Sequence, residues 1–434
     1  MFSRMTVLRF QLCSSVPAIL LVASGALAQT TNKESLLTNP FDSSSPAAVT
    51  QSPETQSPPS ASPAPSAKSD GTKTGGDWQV VKVGVRDYLS ADNIAKFYSL
   101  QANVDASGKT VVLSGDRTQL QFTSESREAI INGVRNWLCF PIVLQDGKFL
   151  VSRSDLSKTI EPQLRPFMIQ RNSIVQTVVV DAGHGGSDKG VRSADGTEKQ
   201  YALDVARRLR PLLQASGFKV IMTRENDAFL PLQLRARIAN QANDAIFVSI
   251  HFNSTSKRDA TGFEIYSLTP QGAPSTADDA LALSFVNMEE GSPVDAQSFA
   301  LSAAVYHSMI GHFSEFDRGI KRARFAVLRH TKIPAILVEG GFLSQEADSK
   351  LIADPAWRGK LARAISIGIE NYRNATEKKQ RLMLVADYRA QEAREISLVD
   401  LAQPPSRLEP SPQATPGPDV IALTDPGTTP EHEP

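Results

Sequence analysis

The chain has 434 residues, enough for two or three domains at roughly 150 residues each. Its 46 basic and 46 acidic residues give a formal net charge of zero, which argues against a strongly basic nucleic-acid-binding protein. The only two cysteines, Cys13 and Cys139, exclude a disulfide scaffold and a thiolate zinc finger.

The first 28 residues have the pattern of a secretory signal peptide. Arg4 and Arg9 precede an apolar run from about Val16 to Leu27, and the small residues that end at Ala28 are typical of a cleavage site. The run is too short for the roughly 20 residues of a spanning helix. We therefore expect residues 1–28 to be removed on export. The mature chain is expected in the periplasm or cell envelope, with no membrane span.

Two segments lack the apolar residues that a packed core needs. Residues 29–76 are rich in serine and proline, and residues 376–434 are first charged and then proline-rich. Such segments bury too little apolar surface to offset the entropy that ordering costs. We predict disordered tethers at 29–76 and 404–434, and for the charged residues 376–403 either a surface helix or no stable structure.

Residues 77–166 are predicted to form a small α+β module with a structural or docking role. Short apolar runs at 79–83 and 110–113 favour strands, and turn residues such as Ser107-Gly108 separate the runs. Ser90 is a candidate N-cap for a helix that would bury Ile94.

Residues 167–375 alternate compact apolar runs with helical patterns. The runs at 178–180, 220–222, 246–250 and 336–338 suit strands that are covered on both faces. Helical spacing of apolar residues follows the first run. The alternation predicts an α/β fold with a twisted, largely parallel sheet and helices on both faces.

The candidate chemistry lies at the carboxyl ends of these strands, where open α/β sheets bind ligands. His184 follows the first run, His251 follows the third, and Glu339 follows the last. Glu198 opens the helix after the first strand. Two histidines and one carboxylate with an open fourth position are typical of a catalytic zinc site, and a further carboxylate can act as general base. The spacing matches no short motif, so a polar core role for the histidines stays open.

Two other enzyme classes fit the sequence poorly. The glycines at 183–186 could belong to a nucleotide-binding loop, but Asp188 stands where the Rossmann pattern needs glycine, and no Gly-Lys-Ser/Thr follows. The Gly-x-Ser-x-Gly pattern of serine hydrolases is absent.

Four segments in this order resemble one enzyme family. They are VVVDAGHGG (178–186), IANQANDAIFVSIHFN (238–253), RGIK (318–321) and the stretch 327–344, which contains PAILVEGGFLS. Together with Glu198, they make residues 176–375 similar to the zinc-dependent N-acetylmuramoyl-L-alanine amidases of the amidase-3 family.

The resemblance implies an activity and a set of site residues. The expected reaction is hydrolysis of the amide between N-acetylmuramic acid and L-alanine of the peptidoglycan stem peptide. His184, Glu198 and His251 would hold one zinc ion, and Glu339 would be the catalytic glutamate. The alternatives are a zinc peptidase acting on another cell-wall amide and a non-catalytic wall-binding protein; Glu339 argues against the latter, because binding alone needs no base.

Residues 78–160 are similar to the small N-terminal domain of copper amine oxidases. The similarity rests on the segments VRDYL (85–89), ING (131–133) and GKFLVS (147–152). No histidine occurs in this module, so the resemblance implies a structural or docking role without copper.

Two regions near the predicted site each allow two interpretations. Arg318, Lys321, Arg322 and Arg324 form either a solvated basic face or a set of cations that orient the carboxylates of stem peptides. Residues 270–296 are either an ordinary surface loop or a lid over the zinc that an activator protein must move. In the lid interpretation, Glu289 or Glu290 would cap the metal.

Overall fold

The computed structural model describes residues 78–169, 174–256, 260–277 and 287–402, with side chains up to residue 394. The predicted signal peptide, the serine- and proline-rich tether, the proline-rich tail and residues 278–286 of the candidate lid lie outside the described residues. Among the helices of the described part, none combines the length and the apolar character needed to cross a bilayer.

The N-terminal module consists of two antiparallel sheets and a few short helices. The sheets have the strand orders β1-β2-β9-β8 and β7-β6-β5-β4-β3. The elements are β1 (Val80–Val83), β2 (Arg86–Ser90), α1 (Ala91–Tyr98), β3 (Gln101–Val104), β4 (Thr110–Ser114), β5 (Gln119–Thr123), β6 (Glu128–Ile131), β7 (Val134–Trp137), β8 (Val143–Gln145), β9 (Lys148–Ser152), α2 (Arg153–Asp155), a π-helical turn (Leu156–Ile160), α3 (Glu161–Leu164) and a 3-10 turn (Pro166–Met168).

Helix α1 begins where the sequence predicts. The Ser90 hydroxyl accepts a hydrogen bond from the backbone N–H of Asn93 at 3.1 Å, which satisfies one of the free donors of the first turn. Ile94 then points into the module core, together with Leu113 and Phe122. The lone thiol of Cys139 is fully buried, as expected of a small apolar side chain.

The second part alternates strands and helices. Its elements are β10 (Thr177–Ala182), α4 (Glu198–Ala215), β11 (Lys219–Met222), α5 (Leu232–Asn240), β12 (Ala245–Asn253), β13 (Phe263–Leu268), a 3-10 turn (Ser292–Val294), α6 (Asp295–His312), β14 (Asp317–Ala323), α7 (Ala326–Arg329), β15 (Ala335–Phe342), α8 (Glu346–Ala353), α9 (Pro355–Glu377) and α10 (Val385–Ala402). Helix α10 thus occupies most of the charged segment 376–403, where the sequence left open either a helix or no stable structure.

The sheet of the second part has the order β11-β10-β12-β15-β13-β14. The first four strands are parallel, β13 is antiparallel to β15, and β14 is parallel to β13. The carboxyl ends of β10, β12 and β15 therefore meet at one edge. Because β13 runs the other way, its amino end lies at that same edge.

Helices cover both faces of this sheet. Val178 and Val180 of β10 pack into the core formed with α4, α6 and α9. Val179 points to the opposite face and packs with residues of α5 and α7. Since side chains alternate along a strand, a continuous apolar run is what a strand buried on both faces requires. The predicted α/β fold with a largely parallel sheet is confirmed.

The two parts share one sheet. Strand β7 of the module pairs in parallel with β14, with Asn136 opposite Ile320, so that eleven strands form a continuous sheet. The buried Arg322 of β14 donates a 2.6 Å hydrogen bond to the carbonyl of Lys158 in the module. Its guanidinium also stacks over the ring of Phe299 at 4.1 Å. The strand pattern did not predict this join, because strand pairing over such a separation leaves no local sequence feature.

Candidate active site

Three of the predicted site residues converge at the carboxyl edge of the sheet. His184 follows β10, Glu198 is the first residue of α4, and His251 lies near the end of β12. Their ligand atoms all lie within 4.8 Å of one another. One carboxylate oxygen, Glu198 Oε1, lies 2.9 Å from His184 Nε2 and 2.9 Å from His251 Nδ1.

Glu198 is buried and tightly held. The backbone N–H of Phe252 donates to Oε1 at 3.1 Å, and the backbone N–H of Val191 donates to Oε2 at 3.0 Å. Thr197 and Gln200 form a capping box that starts α4 at this residue, where the helix dipole favours a negative charge. Burial raises the pKa of Glu198, but its hydrogen bonds to the two histidines outweigh burial and lower the pKa well below its ordinary value.

His184 is held in an unusual backbone conformation. Its φ is +59°, in the left-handed region. Asp188 Oδ2 lies 2.8 Å from His184 Nδ1, so this carboxylate fixes the ring and leaves Nε2 facing Glu198. Burial lowers the pKa of His184, but the carboxylates of Glu198 and Asp188 outweigh it and raise the pKa. A histidine ring oriented by a carboxylate is the usual arrangement around a protein-bound metal.

Two glycines let the three residues approach one another. A Cβ on Gly183 would lie 2.4 Å from the ring of His251. A Cβ on Gly190, which has a positive φ, would lie 2.4 Å from Glu198 Oε2 and 2.7 Å from His184 Cδ2. Any side chain at either position would push the predicted ligands apart.

Glu339 lies beside this cluster. In the parallel pairing of β12 and β15 it stands opposite His251, and both side chains line the same cavity. Its Oε2 is buried and receives no hydrogen bond from any described residue. Burial, together with the charges of Glu198 and Glu264, raises its pKa well above the ordinary value, and Lys321 opposes this shift. A buried carboxylate oxygen without a hydrogen bond lowers the stability of the folded protein. Such a group is therefore a candidate functional residue.

The donor set fits zinc. Two imidazole nitrogens and one carboxylate oxygen are the protein ligands of many catalytic zinc sites, which leave a fourth position open. A cation held by these three side chains would replace the ring protons of the two His–Glu hydrogen bonds and accept the freed nitrogen lone pairs together with Glu198 Oε1.

Two buried arginines support the turn that carries His184. Arg235 of α5 donates to the carbonyls of Ala182 and His184 at 2.7 Å each and pairs with the buried Asp181 at 2.8 Å. Arg224 donates to the carbonyls of Ala182 and Gly183 at 2.9 and 2.7 Å. Sequence reasoning missed both arginines. The available clue was that Arg235 interrupts the buried side of α5, next to Ala236 and Ala239.

The predicted solvated basic face on β14 is wrong. Arg318 and Lys321 bind Oε1 of the buried Glu264 at 2.6 and 2.5 Å. Asn253 and Tyr266 donate to Oε2 of the same carboxylate. Burial raises the pKa of Glu264, but these cations outweigh it and lower the pKa. Glu264 stands directly opposite Glu339 in the pairing of β13 and β15, so the cations serve an internal carboxylate that sequence reasoning did not identify.

The remaining two cations of that group are also engaged inside the protein. Arg322 lies at the join between the two parts, and Arg324 donates to the carbonyl of Ala273 at 2.6 Å. A continuous basic stripe on β14 therefore does not form.

The other histidines of the described residues lie away from the cavity. His307 is buried in α6 and contacts the carbonyl of Met383 at 3.1 Å. His330 lies 3.1 Å from Glu290, and Glu289 pairs with Arg329. Neither of these two glutamates lines the cavity that contains Glu339.

The cavity over the cluster has a volume of about 570 Å³. His184, Glu198, His251 and Glu339 lie in its lining. The exposed apolar side chains of Phe229, Leu232 and Phe325 also lie in its lining. A reactive centre that opens to an apolar cleft is typical of a site for an organic substrate.

Comparison with known proteins places this cavity in a family. The amidase-3 family model, described as N-acetylmuramoyl-L-alanine amidase, matches residues 178–371. The N-acetylmuramoyl-L-alanine amidase AmiC of Neisseria meningitidis is 32% identical over 232 residues, which cover 48% of this chain and 56% of that protein. AmiC of Escherichia coli is 31% identical, with coverage of 51% and 59%. This chain therefore spans less than two thirds of the length of either relative.

A solved structure is also similar. The N-acetylmuramoyl-L-alanine amidase AmiC2 of Nostoc punctiforme is 31% identical, and the match covers 46% of this chain and 98% of that one with a TM-score of 0.38. The segment matched by the family model contains His184, Glu198, His251 and Glu339. Residues 178–371 of this chain thus match the amidase-3 family.

Proposed function

We propose that this chain hydrolyses the amide between the lactyl carbonyl of N-acetylmuramic acid and L-alanine in peptidoglycan. The observation that carries the proposal is the unpaired, buried Oε2 of Glu339 beside the converging donors of His184, Glu198 and His251. Family membership supplies the substrate class, and the site supplies the groups that the reaction needs.

Zinc is the proposed cofactor, as one ion held by His184, Glu198 and His251. When bound, it would lower the pKa of a water to about 7 and polarise the scissile carbonyl. Asp188 keeps the ring of His184 in the binding orientation through the 2.8 Å contact at Nδ1. The backbone N–H groups of Phe252 and Val191 hold the carboxylate of Glu198 in place.

Glu339 is the proposed proton carrier. Its Oε2 takes a proton from the attacking water and delivers it to the departing alanine nitrogen, which must leave as a neutral amine. A raised pKa suits this task, because it makes the carboxylate a stronger base than an exposed glutamate. Glu264, locked between Arg318 and Lys321, stays ionised opposite it and does not take its proton.

The remaining parts of the chain fit action at the cell wall. We propose export by residues 1–28, a periplasmic or cell-envelope location, and reach supplied by the tether 29–76. The module at 77–166 is proposed as a docking or structural unit. An activator protein acting on a lid at 270–296 remains a proposal, and residues 278–286 of that lid lie outside the described residues.

The test uses the full mature chain and purified peptidoglycan. Glu339→Gln is expected to retain zinc and lose at least about 100-fold in turnover, because general acid–base groups contribute on that order. His184→Ala is expected to lose both zinc and turnover. Zinc is measured by elemental mass spectrometry, and activity by the mass of released peptides. Glu346→Gln, an exposed glutamate on α8, is the matched control.

Each result separates the proposal from its alternatives. Released peptides that begin at L-alanine support the amidase. Peptides cut elsewhere in the stem support a zinc peptidase, and bound wall with no release supports a wall-binding protein. Loss of zinc in Glu339→Gln with normal zinc in His184→Ala would reverse the proposed roles.

A further inference from the structure

Exposed apolar side chains border one side of the cavity over His184, Glu198 and His251. Phe229 and Leu232 are 54% and 50% exposed, and Phe325 is 39% exposed. All three line the cavity that contains His251 and Glu339. They lie at the amino ends of α5 and α7, which pack on the same face of the sheet. We call this side the apolar wall.

The apolar wall is fixed to the loop that carries His184. A Cβ on Gly185 would lie 2.1 Å from the carbonyl oxygen of Ala228, and one on Gly186 would lie 2.7 Å from the backbone nitrogen of Phe229. Asp227 accepts a 2.8 Å hydrogen bond from the N–H of Gly186. Because the two loops touch along their backbones, Phe229 is held at a set position relative to the predicted metal ligand.

The segment between His184 and Glu198 borders the cavity on another side through Asp188 and Val191. It leads into α4, which covers the opposite face of the sheet from α5 and α7. Lys189 and Arg192 are exposed here, and their side chains form no hydrogen bond or ion pair with any residue that the structure describes. We call Lys189 and Arg192 the basic edge.

The basic edge lies close to His184 and Glu198, and hydrogen bonds hold its backbone in place. A Cβ on Gly190, between the two cations, would lie 2.4 Å from Glu198 Oε2 and 2.7 Å from His184 Cδ2, so the backbone here runs close to both side chains. Consecutive Cα atoms are 3.8 Å apart, so the Cα atoms of Lys189 and Arg192 lie within about 8 Å of that of Gly190. The backbone N–H of Val191 donates to Glu198 Oε2 at 3.0 Å, and its carbonyl accepts from the backbone N–H of Glu198 at 2.9 Å. By contrast, Arg318 and Lys321 are already engaged by Glu264.

The apolar wall, which lines the cavity, and the basic edge, which lines a neighbouring pocket, match the two arms of the proposed substrate. The acyl arm carries a sugar, whose C–H faces pack well on aromatic and aliphatic side chains. The amine arm is a stem peptide that carries carboxylates, which pair with lysine and arginine. We propose that the apolar wall binds the muramyl sugar and that the basic edge binds the stem-peptide carboxylates. Together they fix the orientation in which the scissile amide enters the cavity. This assignment rests on the proposed amidase function.

The test compares single variants on three soluble substrates. The first is an N-acetylmuramoyl-L-alanyl-D-glutamyl peptide, the second replaces the muramyl sugar with a simple lactoyl group, and the third has its peptide carboxylates amidated. Phe229→Ala is expected to raise KM about tenfold for the two sugar-bearing substrates, with kcat nearly unchanged, and to leave the lactoyl substrate unaffected. Arg192→Ala and Lys189→Ala are expected to raise KM about 2-fold to 5-fold for the two substrates with free carboxylates. They should leave the amidated substrate unaffected.

Matched controls lie far from the cavity. Leu144→Ala removes an apolar side chain of similar exposure in the N-terminal module. Lys219→Ala removes an exposed lysine at the amino end of β11, the opposite edge of the sheet. Neither is expected to change KM for any of the three substrates.

Two outcomes overturn the assignment. One is a reversed pattern, in which Phe229→Ala acts on the lactoyl substrate or the cation variants act on the amidated one. The other is unchanged KM in all of the wall and edge variants while the unaltered protein cleaves the muramoyl peptide. If the zinc-loaded, unaltered protein cleaves none of the three substrates, the proposed function itself fails, and the assignment falls with it.

Discussion

Replacing Arg235 with methionine is expected to destabilise the protein and weaken metal binding at the same time. Arg235 and Asp181 are 2% and 1% exposed, and their 2.8 Å ion pair is shielded from water. The same guanidinium donates to the carbonyls of Ala182 and His184. Methionine fills a similar volume but supplies neither charge nor hydrogen bonds.

The loss of stability depends on the Asp181 carboxylate, which stays buried when Arg235 is replaced. Removing one partner of a buried ion pair costs about 3–5 kcal/mol, because the other charge is left uncompensated. Here Asp181 retains hydrogen bonds from Thr223 and Ser249 at 2.6 and 2.7 Å, so the lower end, about 3 kcal/mol, is expected. Loss of the donor to the carbonyl of His184 frees a turn in left-handed conformation. A loss of about 10-fold to 100-fold in zinc affinity is therefore expected, as for other residues that orient metal ligands.

The free energy of unfolding is measured by urea denaturation of metal-free protein, so that metal binding does not contribute to stability. Zinc affinity is measured separately by competition with a chelating dye. Arg237→Met, an exposed arginine on the same helix, is the control and should change neither quantity. The double variant Arg235→Met with Asp181→Asn should recover about 1–2 kcal/mol relative to the sum of the single variants, because the stranded charge is gone.

A loss below about 1 kcal/mol in Arg235→Met, with normal zinc binding, would show that the ion pair does not support the site. Purely additive losses in the double variant would show that the two side chains are not coupled as the ion pair requires.

Three further predictions address other features. Burial lowers the pKa of His307 from 6.5 to about 4. Between these pH values the unfolded chain binds more protons than the folded chain, so the free energy of unfolding falls by about 3 kcal/mol as the pH drops from 6.5 to 4. Urea unfolding of His307→Gln should show a flatter pH profile in that window, and an unchanged slope contradicts the prediction. Gly185→Ala should lower the free energy of unfolding by about 2 kcal/mol more than Gly217→Ala in the same assay. Both glycines have a positive φ, but only a Cβ on Gly185 would meet a backbone oxygen. Equal losses would show that this contact is relieved easily. Asp188→Asn should weaken zinc binding about 10-fold to 100-fold in the dye assay by loosening the ring of His184, and undiminished affinity would rule out that role.

The sequence alone predicted the main sheet and the four candidate site residues. Runs such as 178–180 and 246–250 are apolar on both faces, so their strands had to lie inside a layered α/β fold. His184, His251 and Glu339 follow such runs, and the carboxyl ends of parallel strands share one edge. The sheet was predictable because the apolar pattern of each strand is a local property of the chain, and strands that alternate with helices form largely parallel sheets. The choice of His184, Glu198 and His251 as ligands and Glu339 as proton carrier came from family resemblance and remains a proposal.

The tertiary structure decided which charged residues support the site. Asp181 and Arg235 are 54 positions apart, and Glu264 and Lys321 are 57 positions apart. A single sequence contains no local sign of such pairs, and a lysine or arginine on its own is most often a surface residue. Strand β13 runs against its neighbour and places Glu264 opposite Glu339, which turned an expected basic face into an internal ion-pair network. Pairing over long separations depends on the packing of whole elements, and only the folded chain brings those side chains within bonding distance.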